Sequence, residues 1–197
     1  MTERGRSADP RAERVRARLR EAAFAMAHEQ PVDQITVGDL VARAQVSRQV
    51  FYRHFRDRDD AVASAFTHAF ATSTGTAEPD ARARIIELFA FAARHCLLCR
   101  NIASSTVHQH VLAEYREALV PPCRQIADQS MTVLTTVAPL TAEAVTRFLV
   151  GGLTEVLRSW MEAPQATDLL ARARAALDTV DALLGNSGDN VRGLRDG

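Results

Sequence analysis

The sequence predicts an all-α fold, and three observations carry that prediction. Apolar residues recur three and four apart along most of the 197 residues, the spacing of one helix face. Alanine-rich runs are common and β-branched clusters rare, a mixture that favours helix over strand. Glycine and proline are few, nine and seven in the whole chain. At 47% hydrophobic residues, a chain of this length can bury a sizeable core although only 6% of it is aromatic.

Residues 1–8 are polar and read as a disordered arm. Asp9-Pro10 then supplies an N-cap and a first-turn proline for a helix to about His28, with Val15, Leu19, Ala22, Ala23 and Met26 on one face. Gln30-Pro31-Val32 breaks it. Thr36 is an N-cap with Asp39 three residues on, the acidic form of a capping box, so a helix starts at Val37 and buries Val37, Leu40, Val41 and Ala44. Gln45-Val46-Ser47 turns the chain, Ser47 caps a second helix, and that helix spans about 48 to 55.

Phe51 and Phe55, four apart, share the inward face of this second helix. Gln49, Tyr52 and Arg53 therefore point outward, flanked by Val50 and His54. Two short helices set by a turn, with an outward row of amide, phenol and guanidinium, suit base edges and phosphates. A plain solvated helix more often carries Glu and Lys there.

Residues 10–66 resemble the N-terminal domain of the TetR family of transcriptional regulators, most specifically in Phe51-Tyr52-Arg53-His54-Phe55 and the following Arg56-Asp57-Arg58-Asp59-Asp60. One position departs: the family usually has glycine where Gln45 stands, so Gln45 implies strain or an altered turn. The resemblance implies a double-stranded DNA operator, a small-molecule effector of unknown identity, and a homodimer through the last two helices. The resulting DNA-binding set is Thr36, Ser47, Arg48, Gln49, Val50, Tyr52, Arg53, His54 and Arg58. Gln49 and Arg53 are assigned to base edges, Val50 to a thymine methyl, Tyr52, His54 and Arg58 to phosphates, and Thr36 and Ser47 to capping with added phosphate contacts. Dimerisation also follows physically, because one short helix reads too few base pairs and a two-fold dimer reads a palindrome.

Net charge is zero, but its distribution is not even. Residues 1–56 hold eleven arginines against seven acidic residues, leaving thirteen against seventeen in the rest, so a basic head precedes an acidic body. Arg4 and Arg6 are placed to touch DNA from the arm. The expected domains are the arm, a helix-turn-helix domain over 9–56, a helical effector-binding and dimerisation domain over 57–185, and a disordered tail over 186–197.

Beyond the head, Asp57 caps a fourth helix bearing Val62, Phe66 and Phe70, and Ser73-Thr74-Gly75-Thr76 ends it. Pro79-Asp80 starts a fifth, whose apolar face carries Ile85, Leu88, Phe89, Ala92, Cys96 and Leu97. One or two helices occupy about 102–119, and Pro121-Pro122 is expected to break the chain and open another over about 122–136. Pro139 and Thr141 mark the next boundary. A helix over 141–163 contains Gly151-Gly152, which calls for close approach of a neighbouring helix, and a last helix spans about 167–184.

The family resemblance puts the effector among these helices. Phe89, Leu97, Val111, Tyr115, Phe148 and Trp160 are the expected apolar wall, with Arg94, His108, His110 and Arg147 as polar anchors. A rival reading uses Cys96 and Cys99, with His95, His108 and His110 nearby, as a redox or metal sensor on the same scaffold; Cys123 is the third cysteine. Against it, Cys96 falls on an apolar helix face, no turn separates the two thiols, and three cysteines give no disulfide framework. A second rival, a helical enzyme or adaptor without DNA function, finds no phosphate loop, nucleophile elbow or paired carboxylates, so no catalytic residue, metal site or cofactor is expected. No apolar run approaches the roughly 18 residues of a membrane helix, so no membrane partner is expected and a cytoplasmic location is.

Overall fold

The computed structural model describes residues 10–75, 80–134, 140–163 and 167–183; the expected arm and tail lie outside these. Among the described residues there are nine α-helices and no strand. They are α1 (Pro10–Glu29), α2 (Val37–Ala44), α3 (Arg48–Phe51), α4 (Arg58–Thr74), α5 (Ala81–Arg94), α6 (Cys96–Ile102), α7 (Val107–Leu134), α8 (Ala142–Glu162) and α9 (Leu169–Leu183). The chain divides into two compact units, Met1–Thr72 with His95–Val111, and Ser73–Arg94 with Leu112–Gly197.

In the first unit α1 packs on α2 and on α6. Its core holds Leu19, Ala23, Ala27, Val32, Leu40, Phe51, Ala61 and Phe66, all buried. Two polar contacts add to the α1–α6 packing: Asn101 Nδ2 donates to the Ala27 carbonyl at 2.9 Å, and His28 Nε2 lies 3.1 Å from His95 Nδ1. The second unit packs α5 and α8 on α9 over Ile85, Leu88, Phe89, Leu157, Trp160, Leu169, Ala173 and Leu177. Arg82 of α5 clamps α9 through Asp178 and Asp181.

The structure corrects three expectations. The fifth helix does not run through Cys96 and Leu97: it stops at Arg94, His95 leaves helical geometry (φ −107, ψ 37), and α6 restarts at Cys96. The break turns Leu98, Cys99 and Ile102 inward and leaves Leu97 55% exposed. Pro121-Pro122 does not end a helix either, since α7 runs through both.

An interior proline costs about 3 kcal/mol, yet one buried stripe, Tyr115, Leu119, Cys123, Ile126 and Ala127, runs straight across the pair. Each large apolar member contributes about 1.5–3 kcal/mol on burial, and breaking the helix would forfeit the shared register. The two carbonyls left without an amide donor, on Glu117 and Ala118, belong to exposed and half-buried residues that water reaches.

Third, no close helix explains Gly151-Gly152. Both are exposed, and a Cβ built on either meets nothing within 4 Å. Beside them Phe148 is 71% exposed. One face of α8 is thus buried, and the exposed face carries Phe148, Gly151 and Gly152 between the Arg147–Glu143 and Arg158–Glu155 ion pairs.

Candidate nucleic-acid interface

The helix-turn-helix is built by caps before it is built by packing. Asp39 N–H donates to Thr36 Oγ1 at 3.1 Å and Thr36 N–H to Asp39 Oδ2 at 2.9 Å, completing the capping box. The Thr36 hydroxyl also donates to Asp39 Oδ2 at 2.6 Å, so its proton is already in use within the cap. These bonds, the side-chain one first, hold the Asp39 carboxyl below its usual range.

At the other end of α2, Gln45 stands in the left-handed region (φ 52, ψ 50), the one non-glycine residue among those described with a positive φ. Its amide bonds to Ala42 C=O at 3.2 Å and the Val46 amide to Val41 C=O at 3.0 Å, the paired closure of a Schellman turn. Arg18 reaches across from α1 and donates to Ala44 C=O at 2.5 Å, setting a cation on the C-terminal end of the α2 dipole. The left-handed turn is therefore made without glycine and is closed by backbone bonds and by Arg18.

Ser47 Oγ then accepts from Val50 N–H at 3.3 Å and opens α3. Regular α-helix ends at Phe51 rather than at residue 55. Tighter bonds continue the coil, Arg53 N–H to Val50 C=O at 3.2 Å and His54 N–H to Phe51 C=O at 2.9 Å. Phe51 and Phe55 are buried, their centroids 5.8 Å apart, and Arg16 of α1 lies 5.8 Å over the Phe55 ring. Anchoring both rings inward forces the intervening side chains out.

Gln49, Arg53 and Arg48 are exposed, Tyr52 is 59% exposed, and Val50 and His54 are half-buried. Thr36 and Ser47 are exposed at the two caps. Arg48 folds back over the start of α2, where a Cβ on Gly38 would meet its guanidinium at 3.3 Å. Among the described residues neither Arg48 nor Arg53 has an ion-pair or hydrogen-bond partner, whereas Arg20, Arg43, Arg82, Arg124, Arg147, Arg158 and Arg172 all do.

Arg58, expected at a phosphate, is half-buried and bonds the protein itself: Nε on Asp59 at 2.7 Å, and Nη1 on the carbonyls of Asp33 at 2.9 Å and Ile35 at 3.1 Å. Sequence reasoning missed this bracket, and Arg18 likewise, because the partners lie 23 to 26 residues away and no local pattern signals them.

The residues expected to form the effector wall are divided between the two units. Leu97, His108 and Val111 belong to the first unit, while Phe89, Arg94, Tyr115, Arg147, Phe148 and Trp160 belong to the second. His108 is buried and bonds Ala103 C=O at 2.9 Å, so it is a satisfied core histidine. Leu97, Arg94, Arg147 and Phe148 are exposed, with Arg147 paired to Glu143 at 2.6 Å. Phe89, Val111, Tyr115 and Trp160 are core, Tyr115 donating to Leu88 C=O at 3.1 Å. The indole N–H of Trp160 is buried and has no partner among the described residues. His110 is exposed and bonds Thr67 at 2.9 Å.

The cysteines are all free thiols. Burial pushes Cys99 and Cys123 up to about 12, the opposite of what a reactive thiol needs. Among the described residues no three metal-ligating side chains converge.

A capped helix-turn-helix presenting free polar donors on a helical scaffold defines the class, a helix-turn-helix DNA-binding regulator. Residues 19–65 match the model of the bacterial regulatory proteins of the tetR family, so the head carries that family's DNA-binding domain.

Solved structures share the fold. They include the dihydroxyacetone kinase operon activator DhaS (13% identity, 87% of this chain and 97% of that one, TM-score 0.62). FadR from Bacillus subtilis in complex with stearoyl-CoA is another (15%, 83% and 96%, 0.60). A TetR transcriptional regulator from Rhodococcus sp. RHA1 is a third (16%, 86% and 98%, 0.56). No curated protein matches the chain. Among the described residues no helix is long and apolar enough to cross a membrane.

Proposed function

We propose that the protein binds a palindromic operator as a homodimer, represses transcription, and is released by a small molecule. The observation that carries this reading is the outward row of α3. The side chains of Gln49, Tyr52 and Arg53 are exposed and make no hydrogen bond among the described residues, beside the equally uncommitted Arg48 guanidinium. Holding polar donors idle on a rigid, doubly capped unit suits a polyanion, with Gln49 and Arg53 for base edges, Val50 for a thymine methyl, and Tyr52, His54 and Ser47 for the backbone. Thr36 acts as a cap first, and Arg58 positions the unit instead of touching DNA.

DNA is met by residues 9–56, and the chain beyond them houses the effector site and the dimer. The exposed face of α8, with Phe148 beside Gly151 and Gly152, supports pairing of two copies there, since bare glycines let helix backbones approach closely. DhaS is called an activator and FadR was solved with stearoyl-CoA. By analogy an apolar effector fits a body whose buried core includes Phe89, Tyr115 and Trp160. A DNA reader with no spanning helix is assigned to the cytoplasm.

Release requires that the effector bind better to a body whose two heads are wrongly spaced; a coupling of about 3 kcal/mol weakens DNA binding about 150-fold. Selecting bound duplexes from a random DNA pool tests the reading: a two-fold motif supports it, and no enrichment refutes it. A reporter placed behind the selected operator gives the sign of regulation.

A further inference from the structure

Arg58 and Asp59, at the start of α4, form the middle of a chain of bonds that ends outside the helix-turn-helix. The two carboxylate oxygens of Asp59 are divided between partners: Oδ1 accepts from Arg58 Nε at 2.7 Å, and Oδ2 accepts from the Thr106 hydroxyl. Arg58 passes the connection on to the carbonyls of Asp33 and Ile35, at 2.9 and 3.1 Å. Those carbonyls belong to the segment that delivers the chain to Thr36, the N-cap of α2. The Arg58 and Asp59 side chains are each 26% exposed, whereas Thr106 is exposed, so water reaches the Thr106 end of this chain of bonds.

Thr106 is itself held. It sits in the turn between α6 and α7, where the Ser105 amide and hydroxyl both donate to Ile102 C=O at 2.8 Å and His108 Nδ1 bonds Ala103 C=O at 2.9 Å. It lies beyond the 19–65 stretch matched by the family model. It stands one residue before α7, whose first turn belongs to the first unit and whose later turns belong to the second.

We propose that Thr106 and Asp59 are positioning residues for DNA reading: their bond holds Arg58 under the entry to the helix-turn-helix, so that the α6–α7 turn sets how well the head binds its operator. This rests on the DNA-binding reading and names the route by which the rest of the chain governs it. A hydroxyl on a carboxylate is a charge-assisted bond, stronger than a neutral one. The carboxylate is also kept ionised: burial pushes its pKa up, but the bonds from Thr106 and Arg58 outweigh that and hold it below the usual range.

The test measures affinity for the duplex that the wild-type chain enriches from a random pool, with circular dichroism to confirm folding. Thr106→Val keeps the shape and removes the hydroxyl; it weakens binding about tenfold. Thr106→Ser restores affinity to within about twofold. Asp59→Asn also weakens binding, and the Thr106→Val/Asp59→Asn double variant is no weaker than Asp59→Asn alone, because the threonine acts through the carboxylate. The salt slope of Thr106→Val equals that of wild type, since no phosphate contact is lost.

Wild-type affinity in Thr106→Val, additive losses in the double variant, or a shallower salt slope would each overturn the proposal while leaving the DNA-binding reading intact. A wild-type chain that enriches no duplex overturns both.

Discussion

Gln45 carries the left-handed turn between α2 and α3 (φ 52) without the help of glycine. That conformation costs an L-residue roughly 1–2 kcal/mol, and here the Schellman bonds and the Arg18 contact to Ala44 C=O hold it in place. Because its side chain is exposed, Gln45→Gly removes strain without opening a cavity and should raise the unfolding free energy by about 1 kcal/mol in denaturant titration. A loss of stability would mean that the Gln45 side chain contributes something the backbone geometry does not show.

The buried cysteines give a pH prediction. Their folded pKa values, pushed up to about 12 by burial, lie above the unfolded value near 8.5. Their contribution is therefore fully present below pH of about 8.5 and is lost as pH rises toward 12. Stability measured across that window should decline, and Cys99→Ala should flatten the decline even if it lowers stability throughout. In native protein at pH 8, alkylation mapped by mass spectrometry should mark half-buried Cys96 and spare Cys99 and Cys123.

At the scale of elements, local signals and tertiary ones separate cleanly. Thr36 with Asp39, Ser47 and Asp57 all cap the helices expected of them, because a cap is a contact over three residues and is written in sequence. The aromatic pair Phe51 and Phe55 was legible for the same reason. Pro121-Pro122 misleads because its local cost is outweighed by a buried stripe that only the folded chain assembles. The restart at His95 has no breaker residue to announce it; the α1 contacts from His95 and Asn101 hold α6 instead. Helix periodicity names inward faces and not the unit each belongs to, so the division of the expected effector wall between the two units was not legible in sequence.

Gly151-Gly152 calls for a close approach, and among the described residues nothing meets a Cβ at either position within 4 Å. If a second copy does, Phe148 lies at the centre of that contact, and Phe148→Glu should convert the dimer to a folded monomer in analytical ultracentrifugation. An unchanged dimer would move the interface elsewhere.

For the whole molecule, a formal net charge of zero conceals the feature that matters. Many of the described arginines pair with acidic neighbours within 4 Å, while Arg48 and Arg53 are without such a partner on the doubly capped helix-turn-helix. Such an arrangement gives weak long-range attraction and leaves recognition to a few directed contacts. Arg53 is the residue on which this reading depends most.

The decisive measurement is selection from a random duplex pool carried out in parallel with wild type and Arg53→Ala. A two-fold wild-type motif that loses its preference at one base pair in each half-site, symmetrically, is the expected result. An Arg53→Ala motif identical to that of wild type, with binding merely weaker for every sequence, would contradict base reading by Arg53 and return α3 to the role of a backbone clamp.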